Sequence, residues 1–184
     1  MSPFSEWESF YVIIGSSAAG LTGLQFVVIA LIADRQTPST LRQIDAFATP
    51  TIVHFGVVLL LSGILTAPWH GSRSPALLLG VCGLAGLIYS GLVIRRARRQ
   101  SDYKMVLEDW LFFVVLPMAA HGILVAAALT LPSAPERSLF GVAITAMLLL
   151  FIGLHNAWDT VTFIAVSNRE EEEEKAKKPS AKSP

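Results

Sequence analysis

Five runs of apolar residues, each bounded by polar or proline-rich breaks, dominate the chain: residues 11–33, 50–67, 75–94, 110–131 and 139–166. An α-helix rises about 1.5 Å per residue, so roughly 20 such residues cross a hydrocarbon core about 30 Å thick. The pattern predicts an all-α integral membrane bundle of about five transmembrane helices, filling residues 1–166. Thr49-Pro50 and Ser74-Pro75 each place a capping side chain before a proline, which predicts helix starts where the missing N–H costs nothing. Pro117 falls inside the fourth run and predicts a kink.

Charge placement predicts the orientation. Arg35, Arg42, Arg95, Arg96, Arg98, Arg99, Lys104, Arg169, Lys175, Lys177, Lys178 and Lys182 fall on one side of a five-span topology, and only Arg73 and Arg137 on the other. Cationic residues accumulate in cytoplasmic loops, so this segregation predicts the N-terminus outside and the C-terminus in the cytoplasm. Trp7 and Trp69 then fall at the outer boundary and Trp110 at the inner one, where amphipathic rings favour the headgroup layer. The external loops, 69–74 and 132–138, are too short for an extracellular domain. Residues 1–10 carry Glu6 and Glu8 but no Lys or Arg, so the first run is expected to be a retained span and not a cleaved signal.

The connections carry weaker patterns. After Pro38, Leu41, Ile44 and Phe47 recur every third residue, suggesting a short amphipathic helix at the membrane interface. The tail, 167–184, runs through five glutamates, Glu170 to Glu174, into Lys175, Lys177 and Lys178. Its favourable i,i+4 pairs could prolong the last helix, whereas most of this charged tail is expected to be disordered.

Composition agrees with a lipid solvent: 53% of the 184 residues are hydrophobic, 15% are charged, and the mean hydropathy is +0.56. The formal net charge is zero, so no global basic field suggests nucleic acid. Cys82 is the sole cysteine, which excludes an intrachain disulfide and a multi-cysteine metal site. No Walker-type loop, G-x-S-x-G or H-E-x-x-H motif is present. The lipid bilayer is the expected partner, with anionic headgroups at Arg95, Arg96, Arg98 and Arg99.

Small residues recur at four-residue spacing on two helices. Gly15, Ala19 and Gly23, with Ser16 and Gly20 beside them, form one stripe, and Cys82, Gly86 and Ser90 form a second. Such stripes let backbones approach closely, within one chain or between copies. The segment Ala18-Ala19-Gly20-Leu21-Thr22-Gly23-Leu24-Gln25-Phe26-Val27 resembles the first helix of a family of small bacterial multi-span proteins to which no activity attaches. That resemblance implies a bacterial inner-membrane setting.

Polar side chains inside the spans carry the candidate chemistry, because an intramembrane ionisable group is costly and normally has a partner. Gln25, His54, His121, His155 and Asp159 are expected to form a polar layer at similar depth, with His155 and Asp159 paired at i,i+4. Four uses of that layer are open. Haem b would take two axial imidazoles from His54, His121 and His155. A transition-metal site would add Asp159 as an oxygen ligand. A proton or ion pathway would use the histidines and Asp159 as exchange points. Interhelical hydrogen bonding alone is the fourth. The preferred expectation is a non-enzymatic membrane scaffold or accessory subunit that associates with itself or a larger complex.

Overall fold

The computed structural model describes residues 3–33, 38–97 and 107–177. A short 3-10 turn, Ser5–Trp7, leads into α1, Glu8–Ala33, followed by α2, Pro38–Thr66, and α3, Arg73–Ala97. The next span is composite: α4, Leu107–Trp110, a π-helical segment, Leu111–Val115, and α5, Leu116–Thr130. The last element, α6, runs from Pro135 to Lys177. Among the described residues every regular element is helical, and five helices are long and apolar enough to cross a membrane.

Consecutive spans run antiparallel, but sequence neighbours are not always packing neighbours. α1 packs along α2, α2 along α6, α6 along α5, and α5 along α3, while α2 and α3 touch only lightly. The second to fifth spans thus form a four-helix ring, and α1 lies outside it against α2. Below, the near end is the one where α1 starts and α2 ends, and the far end is its opposite.

Each helix buries one stripe at three- and four-residue spacing. On α6 the stripe is Leu139, Val142, Ala146, Leu149 and Ile152, and on α2 it is Phe55, Val58, Leu61 and Leu65. The lateral surface is apolar as well, with Leu24, Phe26, Leu77, Ile88, Phe140 and Phe151 all exposed. A bundle apolar on both its buried and outward faces is suited to lipid, where outward leucines and phenylalanines meet hydrocarbon.

Three predicted boundaries are corrected. Pro50 does not start a helix: the predicted interfacial segment and the second span are one continuous α2 with Pro50 inside it. The proline removes one backbone bond, which the remaining bonds of a long packed helix can absorb. The side chains of Leu41, Ile44 and Phe47 lie outside the described residues. At α3 the helix begins at Arg73, so Ser74 and Pro75 occupy its first turn, where a proline is still tolerated. The charged tail is helical as far as Lys177, so α6 extends past the predicted end of the domain at 166; residues 178–184 lie outside the described ones.

The two prolines near helix ends have local compensations. Pro68 has no N–H to give the Ile64 carbonyl four residues back, and the Trp69 indole N–H donates to that carbonyl instead, at 2.5 Å. Pro117 sits in the first turn of α5, directly after the π-helical segment, in which the Leu116 N–H reaches back five residues to the Leu111 carbonyl. The predicted feature at Pro117 is a kink, and what the structure has there is a π-helical turn directly before the proline.

Candidate functional site

Close approaches between helices fix the register. A Cβ built on Gly15 would lie 2.7 Å from the Ser62 Cβ, so α1 meets α2 there with no room for a larger residue. A Cβ on Gly153 would lie 2.6 Å from the Phe55 ring, which sets α6 against α2. On α3, Gly83 faces Val125 and Gly86 lies against the imidazole of His121. The Thr145 hydroxyl donates across to the Ala120 carbonyl at 3.1 Å, and the Tyr11 hydroxyl to the Leu139 carbonyl at 3.2 Å.

From these contacts the depth of each polar residue follows. Gln25 lies about ten residues beyond Gly15 along α1, or roughly 15 Å, which places it opposite position 52 of α2. Asn156 lies one turn beyond Gly153 on α6 and comes opposite the same stretch of α2. That stretch presents Thr51 and His54 on its buried face. Three helices thus bring Gln25, His54 and Asn156 to one level, and their exposures are 4%, 3% and 0%.

His121 sits nearer the other end, at the level of Thr145 and Ser62, with 1% of its surface exposed. Its Nδ1 is 2.7 Å from the Pro117 carbonyl. A carbonyl only accepts, so Nδ1 carries the hydrogen, and Nε2 of the neutral ring is a bare acceptor. His54 and His121 project from α2 and α5, diagonally opposed in the ring, and are near enough to interact electrostatically.

His155 and Asp159 depart from the expected common layer. They form the predicted i,i+4 pair, His155 Nε2 to Asp159 Oδ2 at 3.0 Å, but are 26% and 51% exposed. The His155 ring stacks on Phe112, with centroids 3.6 Å apart and planes 22° from parallel. One position along α6 turns a side chain by about 100°. Asn156 therefore faces the core while its neighbour His155 faces the π-helical segment. Among the described residues no group of three His, Cys, Asp or Glu side chains gathers to hold a metal ion.

The small-residue stripes divide between faces. Gly86 and Ser90 of the second stripe are buried and Cys82 is half-buried, with Gly86 against His121 of α5. In the first stripe only Gly15 is buried, whereas Ala19 and Gly23 face outward with Ser16 and Gly20. His70 is exposed in a hollow lined by Pro3, Phe4, Trp69 and Pro135. Arg95 is exposed, and the side chains of Arg96, Arg98, Arg99 and the glutamate run lie outside the described residues.

Sequence reasoning missed Asn156 and Ser62. Both are buried with side-chain atoms that have no hydrogen-bond partner, as have Gln25, His54 and His121. Their signal was present in the spacing: Thr51, His54, Phe55, Val58 and Ser62 lie on one face of α2, and Ile152 and Asn156 on one face of α6. No known protein family, curated protein or solved structure matches the chain. The resemblance of the first helix to a small multi-span family thus rests on its ten residues.

Proposed function

We propose that this chain is a non-enzymatic membrane protein of the bacterial cytoplasmic membrane, a scaffold or accessory subunit that works by associating with a second copy or a larger complex. The orientation proposed is N-terminus outside and C-terminus in the cytoplasm, from the twelve cationic residues on one side against two on the other. The observation that carries the association is the outer face of α1. This helix lies at the edge of the bundle, and its exposed Ser16, Ala19, Gly20 and Gly23 form a shallow strip. A Cβ added at Gly20 or Gly23 would meet nothing within 4 Å, so the chain leaves unfilled a surface on which another helix backbone can pack.

The test is the oligomeric state of the detergent-solubilised protein by light scattering, compared with a Gly20→Leu/Gly23→Leu variant. The expected result is an assembly larger than one chain that the variant reduces to a monomer. Equal masses for both would remove this face from the proposal. Reporter fusions at the two termini test the orientation.

A second reading, haem binding, is favoured by His54 and His121 because they project from diagonal helices and each keeps an unpartnered ring nitrogen. An absorption spectrum of the purified protein, oxidised and dithionite-reduced, decides it. A Soret band lost in His54→Ala and His121→Ala supports this reading, and a colourless protein from haem-sufficient cells rejects it.

A further inference from the structure

A polar side chain left without a partner in a dry apolar interior costs a few kcal/mol, so buried polar atoms in folded proteins are bonded to protein or to ordered water. Gln25 Nε2, His54 Nδ1, and both Asn156 Nδ2 and Oδ1 are buried without a protein partner. They come from three helices and lie at one level. At the near end Tyr11 donates to Leu139, and Thr130 and Ser138 share a 2.8 Å hydrogen bond, whereas Ser62 Oγ and His121 Nε2, deeper in the bundle, also lack a protein partner.

We propose that Gln25, His54 and Asn156 form a water-binding site within the bundle. The chemistry of the four atoms selects the ligand. Two amide N–H groups can only donate and Asn156 Oδ1 can only accept, so an anion would be repelled by the oxygen and a cation by the N–H groups. Among the described residues the nearest carboxylate, Asp159, is engaged with His155 on the exposed side of α6. Water both gives and accepts, and each buried water makes about three hydrogen bonds, so about one or two molecules would complete the set. This site is independent of the α1 outer face and stands or falls separately from it.

Cysteine labelling of the full chain in membrane vesicles tests the proposal, because a methanethiosulfonate reacts with the thiolate, which forms only where water reaches the sulfur. In a Cys82→Ser background, Gln25→Cys and Asn156→Cys are compared with Leu149→Cys, which is fully buried two turns away on α6. A small cationic, membrane-impermeant reagent is applied to vesicles of each orientation. The expected result is labelling of both test positions, from at least one side, at least about tenfold faster than Leu149→Cys. Rates no faster than the control from either side would overturn the proposal. Should the cysteine variants fail to fold, water-edited solid-state NMR of the unsubstituted protein in bilayers decides the matter. Rapid magnetisation transfer from water to the Gln25 and Asn156 side-chain amides upholds the site, and transfer as slow as that to Leu149 overturns it.

Discussion

Replacing Gly86 with alanine tests whether His121 is seated on α3 as described. A Cβ at this position would fall within contact distance of three ring atoms, Cδ2, Nε2 and Cγ, and the ring cannot simply swing aside while Nδ1 remains bonded to the Pro117 carbonyl. Two effects oppose each other. Alanine is the better helix former by up to about 1 kcal/mol. Overpacking a core costs about 1–3 kcal/mol, and displacing the ring forfeits an interior hydrogen bond worth about 0.6 kcal/mol in a membrane protein. The net expectation is a loss of about 1–2.5 kcal/mol, or a fall of roughly 2–10 °C in the apparent melting temperature in detergent. Gly20→Ala is the control, because nothing lies within 4 Å of its added methyl, and it should be neutral or slightly stabilising. In a His121→Ala background, Gly86→Ala should lose its cost, a coupling of about 1 kcal/mol or more between the two positions. Equal melting temperatures for Gly86→Ala and Gly20→Ala, or no coupling to His121, would refute the seating.

Gly153→Ala should destabilise in the same assay by about 1–2 kcal/mol, because its methyl meets the Phe55 ring, and Phe55→Leu should recover part of that loss. Thr145→Val, which keeps the shape but removes the bond to Ala120, is expected to cost about 0.6 kcal/mol, seen as a small drop in melting temperature. Asp159→Asn removes the charge of a half-exposed pair, so its effect on thermal stability should stay within about 1 kcal/mol. Ala replacement of Trp69 removes the donor that serves the Ile64 carbonyl beside Pro68, and hydrogen exchange should report faster opening at the end of α2.

How much could be read beforehand differs between helices and sites. The five long apolar helices were legible because the length and apolarity that a membrane crossing demands are one-dimensional properties, and 139–166 or 75–94 have them without reference to any neighbour. Proline was harder to interpret. Pro50 and Pro117 look alike as potential breaks, yet α2 runs straight through the first and a π-turn precedes the second. The outcome depends on what the freed backbone groups find nearby, which is a property of the packed state.

The candidate site shows the same division. Composition and spacing marked Gln25, His54 and His121 as intramembrane polar residues, and the i,i+4 rule gave the His155–Asp159 pair, since both are properties of a single helix. Which of these share a level, and which turn away, was decided by contacts between helices: Gly15 on Ser62, Gly153 on Phe55 and Gly86 on His121. A step of one residue along α6 separates Asn156, fully buried, from His155, which is stacked on Phe112 and partly exposed. The sequence by itself determined that this chain forms five long apolar helices and roughly where they lie, because length and apolarity are properties of each helix separately. Only the tertiary structure decided which faces meet, because helix rotation and pairing minimise the packing energy of all five spans together.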